Sequence, residues 1–224
     1  MSKLTVYECA VLSEASYVGN CPASPSSYGF LQTGKEGDGI GFHARAFCRD
    51  DHLIIAFAGT DDRQDLRDNA AFFRRVFPEA QRRRALSFLQ RMKQENEFDK
   101  LALTGHSLGG WLAKYVLLKD QTADAAVAFN APHVGKLDGV LMSSAILLNV
   151  NTHYDLVSRG SRLLGQFPIG ETVTQRVPWI KRTPVVGLKT LVAAAAAQAV
   201  PQHGIQPLRQ ALANSKLGKR AVLN

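Results

Sequence analysis

The sequence predicts an α/β fold in which a mostly parallel sheet is flanked by helices. Short apolar runs at residues 101–103, 125–129 and 145–150 have the length of buried strands, and the apolar segment 111–118 between the first two is long enough for a helix. Strands that alternate with helices imply parallel pairing. The chain has 224 residues, 46% of them hydrophobic, which suits one domain over residues 1–224.

The first half of the chain predicts a helix and then a hairpin. Apolar positions in residues 6–17 have helical spacing, and a loop rich in Gly, Pro and Ser follows over residues 19–29. Residues 41–48 and 53–58 flank a charged turn, which is typical of a hairpin. The second of these strands is apolar throughout, so we expect a central strand covered on both faces.

Three further elements follow from spacing alone. Residues 78 to about 96 describe an amphipathic helix whose arginines lie mostly opposite its apolar face. Residues 170–177 predict a short edge strand or hairpin arm, and residues 185–198 predict a late helix.

The most informative motif is T-G-H-S-L-G-G at residues 104–110, which places Ser107 between glycines where a strand turns into a helix. A serine on such a turn takes a strained backbone conformation that presents its hydroxyl, and a side chain at a neighbouring glycine would collide with the adjacent strand or helix. The motif predicts Ser107 as a nucleophile. The alternative is a glycine-rich turn with a capping serine.

A serine hydroxyl needs a histidine base, and that base needs a carboxylate to hold its tautomer. Asp155 lies a few residues past the strand at 145–150, at the strand end where active groups of such sheets occur, so it is the leading acid. Asp138 is a weaker competitor. Asp124 precedes its strand and would lie at the wrong edge.

The base is expected to be His203, because the order Ser, Asp, His along the chain selects it. It lies in a loop with glycine and proline neighbours that suit a sharply held side chain. His133 and His153 also follow the serine and remain alternatives, whereas His106 belongs to the elbow itself.

Acyl transfer places negative charge on the carbonyl oxygen, which calls for preorganised N–H donors. Leu108, directly after the serine, supplies one backbone donor. Thr60, in the loop after the strand at 53–58, is the expected second donor by its backbone and by its hydroxyl. The alternative for this loop is a plain turn after a strand.

Several segments together resemble the class 3 lipase family of α/β-hydrolases. Residues 56–60 (A-F-A-G-T) resemble its F-R-G-T motif, residues 105–110 match its elbow, residues 129–135 (F-N-A-P-H-V-G) resemble F-G-x-P-R-V-G, and residues 149–157 resemble its V-N-x-x-D-x-V segment around the acid. Ala58 and His133 stand where the family usually has arginine, and Asn130 where it has glycine. The resemblance implies an α/β-hydrolase fold and lipid esters as substrates.

These residues together predict a serine ester hydrolase that works through an acyl-enzyme with a Ser107, His203 and Asp155 triad. The family resemblance implies that it is a lipase or phospholipase. This chemistry requires neither a metal nor an organic cofactor. A thioesterase or acyltransferase with the same triad is the first alternative. A non-catalytic lipid-binding protein on this fold is the second, although such a protein has no physical need for the complete set of groups.

The basic segments suggest contact with an anionic membrane surface. The net charge is +8, and much of it comes from Arg74, Arg75, Arg82, Arg83 and Arg84. A lid element near residues 61–82 would present Phe72, Phe73 and Phe77 to substrate or interface. No nucleic-acid-binding motif accompanies the arginines, so no nucleic-acid partner is expected. An amphipathic element packed on the sheet and a solvated helix face are the alternatives.

Cellular location is predicted from the amino-terminal sequence and the cysteines. No signal peptide is visible, so the cytoplasm is the default, with export that needs no cleaved signal as the alternative. Cys9, Cys21 and Cys48 are an odd number without metal-site spacing, and we expect thiols, mostly buried.

Overall fold

The structure is a computed structural model that describes residues 2–17, 24–37, 41–59, 79–133, 144–153, 155, 168–177 and 204–224. Its centre is a seven-stranded sheet in the order β2-β3-β4-β5-β6-β7-β8. The strands of this sheet are β2 (Leu31–Gly37), β3 (His43–Arg49), β4 (His52–Phe57), β5 (Lys100–His106), β6 (Ala125–Phe129), β7 (Ile146–Thr152) and β8 (Glu171–Gln175). Two short strands, β1 (Leu4–Thr5) and β9 (Ala221–Leu223), pair with each other.

Helices cover both faces of this sheet. On one face lie α1 (Val6–Ala15) and α4 (Ile205–Ala213), and on the other lie α2 (Glu79–Glu95) and α3 (Leu108–Asp120). A short 3-10 helix, Pro25–Tyr28, precedes β2. Each face therefore has its own apolar core, as expected for a sheet that buries both surfaces.

Strand pairing confirms the predicted α/β architecture. β3 and β4 form the predicted antiparallel hairpin, and β4 to β8 are all parallel neighbours. The carboxyl ends of β4 to β7 therefore meet at one edge of the sheet, which is called the carboxyl edge below. The predicted edge strand is present as β8. The short pair β1 and β9, the strand β2 and the helix α4 are additions to the prediction.

The predicted amphipathic helix is present as α2. Its residues Ala85, Phe88, Leu89 and Met92 are buried against the sheet, and most of its arginines point to solvent. The apolar spacing therefore identified the packed face correctly.

Two sequence predictions lie outside the described residues, namely the late helix at 185–198 and the lid near 61–82 except for its last residues, which begin α2. Cys21 also lies outside them. Cys9 and Cys48 are free thiols, buried and half-buried respectively, and burial raises the pKa of the Cys9 thiol far above its usual range. No helix in the described ranges combines the length and the apolar character that a membrane span requires.

Candidate active site

Ser107 occupies the turn between β5 and α3 with φ 57° and ψ −125°. A positive φ is strained for a residue with a Cβ atom and persists only where the surrounding structure holds it. Two backbone hydrogen bonds provide that support here. The Ser107 N–H donates to the Phe129 carbonyl at 2.9 Å, and the Ser107 carbonyl accepts from the Trp111 N–H at 3.1 Å. The predicted elbow between strand and helix is therefore present at Ser107.

Close contacts with backbone atoms explain why residues 105 and 109 are glycines. A Cβ atom on Gly105 would lie 2.4 Å from the carbonyl carbon of Gly109, and one on Gly109 would lie 2.0 Å from the carbonyl oxygen of Phe57. Both obstacles are backbone atoms that cannot rotate away. Glycine at these positions lets β5, α3 and the end of β4 approach closely enough to form the elbow.

The loop after β4 passes directly beside the serine. A Cβ atom on Gly59 would lie 3.0 Å from the Cβ atom of Ser107 and 2.8 Å from the carbonyl oxygen of His106. Leu108 is the first residue of α3, so its backbone N–H belongs to the positive amino end of that helix. Thr60, the other predicted oxyanion donor, lies just outside the described residues.

His106 contacts Tyr17, which lies two residues after the end of α1. The Tyr17 hydroxyl lies 2.7 Å from His106 Nδ1, and the same hydroxyl is 2.6 Å from the position of a Cβ atom on Gly59. The tyrosine therefore lies between the histidine before the nucleophile and the loop after β4. The sequence prediction that His106 belongs to the elbow agrees with this geometry, but its tyrosine partner was not predicted.

Asp155 follows β7 and is fully buried. Its backbone N–H donates to the Thr152 carbonyl at 3.1 Å, which turns the chain directly after the strand. The Thr152 N–H in turn donates to Asn130 Oδ1 at 2.7 Å, and Asn130 follows β6 with φ 45°. The loop that carries Asp155 is thus held against the loop after β6, whose preceding residue, Phe129, bonds the Ser107 backbone.

Of the two competing acids, Asp124 and Asp138, the structure describes Asp124. Asp124 lies at the amino end of β6, where its carboxylate accepts from the Leu101 N–H at 2.8 Å and pairs with Lys100 at 3.6 Å. That is the edge of the sheet opposite Ser107, which confirms the predicted position of Asp124 at the wrong edge. Asp138 lies outside the described residues.

The predicted base, His203, also lies outside the described residues. Of the two alternatives, His133 is buried in the loop after β6, and His153 is exposed in the turn after β7. The His153 backbone N–H donates to the Gln175 carbonyl at 3.2 Å, which fixes that turn against β8.

Some of the predicted interfacial residues lie within the described ranges and others lie outside them. Phe72, Phe73, Phe77, Arg74 and Arg75 lie outside the described residues. The other three arginines are in α2. Arg82 pairs with Glu79 and lies 5.7 Å above the Tyr115 ring, Arg84 pairs with Glu36 at 3.5 Å, and Arg83 has the most exposed side chain at 74%.

One buried polar residue beside the site was not predicted. Lys114 on α3 is almost fully buried, and its Nζ donates to the Pro132 carbonyl at 2.6 Å and to Asn149 Oδ1 at 3.2 Å. Desolvation lowers the pKa of Lys114 from 10.5 to about 7. A lysine within the apolar run of the elbow helix was the signal that could have identified it.

A seven-stranded sheet with a serine elbow at its carboxyl edge defines the chain as an α/β-hydrolase. Residues 8–135, more than half of the chain, match the family model described as phospholipase-like, the Tle-like phospholipase domain. The chain belongs to this phospholipase-like family. It is a carboxylic ester hydrolase of the lipase and phospholipase type, and its substrates are lipid esters. No curated protein matches it significantly.

Solved lipase structures share the fold. Lip2 lipase from Yarrowia lipolytica is 14% identical with a TM-score of 0.51, and the match covers 77% of each chain. Triacylglycerol lipase from Penicillium expansum is 14% identical with a TM-score of 0.55, over 77% of this chain and 79% of that one. Rhizomucor miehei lipase, in its propeptide complex, is 17% identical with a TM-score of 0.55, over 75% and 66%. The predicted fold and the resemblance to lipases are therefore confirmed.

Proposed function

We propose that the protein hydrolyses lipid esters through a Ser107, His203 and Asp155 triad and an acyl-enzyme intermediate. His203 takes the Ser107 proton as the hydroxyl oxygen attacks the ester carbonyl, and Asp155 stabilises the imidazolium. The tetrahedral intermediate collapses, the alcohol leaves with the proton from His203, and the acyl group stays on Ser107. Water, deprotonated by His203, then attacks the acyl-enzyme and releases the fatty acid.

The observation that carries this proposal is the geometry of Ser107. Its positive φ and the close approach of Gly59 place the serine between the amino end of α3 and the loop after β4. A substrate carbonyl at Ser107 would lie beside the Leu108 N–H and Gly59, the residue before Thr60 in the sequence. Preorganised donors at such a point stabilise the developing oxyanion and typically contribute about 3 kcal/mol each.

The helix after His203 supports its role as the base. Arg209 on α4 pairs with Glu14 near the end of α1, and the Tyr7 N–H near the start of α1 donates to the carbonyl of Gly218, which follows α4. The two helices therefore run antiparallel. The amino end of α4, which begins after Gly204, is thus directed toward the edge where Tyr17 contacts the elbow.

The position of Asp155 supports its role as the acid. It follows β7, two strands from β5 in the sheet, and its loop is bonded through Asn130 to the end of β6. A buried carboxylate in this place can hold a histidine that approaches from the carboxyl edge.

The test is active-site labelling with a fluorophosphonate, which phosphonylates an activated serine. We expect labelling of the wild type at Ser107, identified by peptide mass spectrometry, and none in Ser107→Ala. Ser26→Ala removes an exposed serine of the 3-10 helix and serves as the matched control. Labelling that persists in Ser107→Ala would contradict the proposal.

Product analysis separates hydrolysis from acyl transfer. With a phospholipid substrate in water that contains a primary alcohol, we expect free fatty acid as the main acyl product. An acyl ester of the alcohol as the main product would instead identify an acyltransferase that uses the same elbow.

We also propose peripheral contact with an anionic membrane surface through Phe72, Phe73 and Phe77 and the neighbouring basic residues. Arg83 supports this proposal because its side chain is 74% exposed on the solvent face of α2. Arginines near a negatively charged surface each contribute about 1 kcal/mol of attraction, and aromatic side chains can enter the acyl boundary.

A further inference from the structure

A basic cavity of about 720 Å³ opens at the carboxyl edge of the sheet. It lies around the turn end of the β2–β3 hairpin, beside α2 and the end of α1. The charged and titratable residues that line it are Lys35, Glu36, His43, Arg45, Arg84 and Arg91. The predicted catalytic machinery uses none of these residues.

Positive charge exceeds negative charge in this lining. Glu36 is the one acid among the described lining residues, and it already pairs with two arginines, Arg91 at 3.0 Å and Arg84 at 3.5 Å. Its side chain is 20% exposed, so the group lies largely within the protein surface. One carboxylate cannot neutralise the surrounding cations, and the cavity therefore has a positive potential that attracts anions.

Lys35 and Arg45 project from the face of the hairpin toward α1, whereas Glu36 projects from the opposite face and meets the arginines of α2. Lys35 and Arg45 are directly opposite each other on β2 and β3, so their side chains leave the same face of the hairpin. Like charges in this arrangement repel each other and destabilise a strand pair. Within the described part of the chain, neither residue forms a salt bridge with a carboxylate. A bound anion would remove this repulsion.

The Arg45 guanidinium is already oriented. One terminal nitrogen donates to Gln32 Oε1 and the other to the carbonyl oxygen of Tyr17, each at 3.2 Å. A guanidinium has five N–H donors in a fixed plane, and these two bonds leave donors for a tetrahedral oxyanion. A preoriented arginine beside a lysine is a typical arrangement for binding phosphate.

Hydrogen bonds link the residues around the cavity to the elbow. The residue whose carbonyl orients Arg45, Tyr17, bonds His106 through its hydroxyl at 2.7 Å. The carbonyl of His43, in the cavity wall, accepts from the Ala58 N–H at 2.9 Å, directly before Gly59. Arg45 is in register with Thr104 two strands away, and Ser107 is three residues further along, so the backbones of Arg45 and Ser107 are roughly 14 Å apart. The arginine side chain and a phosphoglycerol headgroup together can span this distance.

We infer that Lys35 and Arg45 bind the phosphate group of a phospholipid whose ester bond is cleaved at Ser107. This inference rests on the proposed function of Ser107. Two charge-assisted contacts to the phosphate orient the glycerol so that an acyl ester reaches the elbow. The cavity thereby favours phosphate-containing lipids over neutral acylglycerols.

The first test measures binding without turnover. Glycerol 3-phosphate and inorganic phosphate are titrated by calorimetry at constant ionic strength into two proteins, one with Ser107→Ala alone and one that also has Lys35→Gln and Arg45→Gln. The pair Lys35→Gln/Arg45→Gln is called the cavity change. Lys216→Gln/Lys219→Gln removes the same charge from exposed residues after α4 and is the matched control. We expect the cavity change to weaken glycerol 3-phosphate binding by about tenfold or more, and the control to leave it unaltered.

The second test measures selectivity in proteins that retain Ser107. The quantity is the ratio of kcat/KM for a phosphatidylglycerol to kcat/KM for a diacylglycerol of the same acyl chains in identical micelles. We expect the cavity change to lower this ratio about tenfold or more, because its charge contacts act on one substrate alone. Lys35→Gln by itself, at an exposed position, repeats the test if the double change prevents folding.

The outcomes separate this inference from the proposed function. A wild type that hydrolyses neither lipid overturns the role of Ser107, whereas the binding arm still reports on the cavity. Equal glycerol 3-phosphate binding with and without the cavity change overturns the cavity as a phosphate site. If the cavity change abolishes inorganic phosphate binding but leaves the selectivity ratio unchanged, the cavity is a site for free phosphate. That result overturns the role of the cavity in lipid recognition.

Discussion

Lys114 Nζ lies 2.6 Å from the carbonyl oxygen of Pro132 in the interior of the protein. The same nitrogen donates to Asn149 Oδ1, and the Asn149 amide nitrogen donates to the carbonyl oxygens of Ile169 and Glu171 at 2.9 and 3.2 Å. This buried network joins the elbow helix to the loop after β6 and to the edge strand β8. A neutral amine has two N–H donors, which match the two acceptors of Lys114.

The stability of the protein should therefore depend on pH through Lys114. Because burial lowers the pKa of this lysine from 10.5 to about 7, the unfolded chain binds more protons than the folded protein between these values. The free energy of unfolding should rise with pH across this window, by up to about 1.4 kcal/mol per pH unit. Below about pH 7 this dependence should disappear, since Lys114 is then protonated in both states.

Urea denaturation of the wild type and of Lys114→Met from pH 6 to 10 tests this expectation. Other groups titrate equally in both proteins, so the difference between the two curves isolates Lys114. We expect the wild type to gain stability relative to Lys114→Met as the pH rises. Lys216→Met, at an exposed position, should follow the wild type, and parallel curves for the wild type and Lys114→Met would refute the assignment.

The proposed triad predicts losses that do not add. Ser107→Ala and His203→Ala should each lower kcat by about 10⁴-fold to 10⁶-fold, and the double variant should be little worse than either, because the two residues act as one unit. The measurement is hydrolysis of a short soluble ester. Near-normal turnover by His203→Ala would remove His203 from the mechanism and direct the search to His153 and His133.

The acid is tested by substitutions that preserve shape. Asp155→Asn should lower kcat by roughly 10⁴-fold while the fold is retained, because an amide cannot stabilise the imidazolium and favours the wrong tautomer. Asp124→Asn and Asp138→Asn should have little effect on kcat. Asp124 is the stronger control, because its carboxylate lies at the opposite edge of the sheet. Reversed phenotypes for Asp155 and Asp138 would show that the acid follows β6 rather than β7.

Sequence patterns predicted the elements that have an apolar core face. The strand expected at 125–129 is observed as Ala125–Phe129, because a short apolar run between polar loops marks a buried strand. The elbow was equally clear, since Gly105 and Gly109 are required by backbone atoms at 2.4 and 2.0 Å. The position of Asp155 after β7 was predicted for a similar topological reason, and its role as the acid stays a prediction.

The elements that were not predicted lack such a signal or need distant partners. β2 (Leu31–Gly37) is a largely exposed edge strand with two glycines, so it shows no apolar alternation. In α4, Ile205, Leu208 and Leu212 do have helical spacing, but Pro207 argues against a helix unless it lies in the first turn, where it is tolerated. The Tyr17 and His106 contact joins residues 89 positions apart, a separation at which local patterns carry no information.

The close approach at Gly109 predicts a steric effect on both stability and activity. A methyl group there would meet the Phe57 carbonyl oxygen at 2.0 Å, so Gly109→Ala must displace either α3 or β4. We expect a loss of about 3 kcal/mol or more in the free energy of unfolding, together with loss of fluorophosphonate labelling at Ser107. Thermal unfolding and labelling measure the two effects. A stable and fully labelled Gly109→Ala protein would contradict the described packing at the elbow.

The proposed membrane contact predicts binding that depends on charge. Arg82 lies over the Tyr115 ring and Arg84 lines the basic cavity, so the sharpest variant replaces Arg74, Arg75 and Arg83 with glutamine. At about 1 kcal/mol for each arginine, binding to vesicles with anionic lipid should weaken by roughly 100-fold and lose most of its salt dependence. Hydrolysis of a short soluble ester should remain close to that of the wild type, because Ser107 is untouched. The comparison is vesicle co-sedimentation at low and high salt, with Lys3→Gln/Lys216→Gln/Lys219→Gln, three exposed lysines, as the charge-matched control. Equal binding by all three proteins would leave these arginines as a solvated surface.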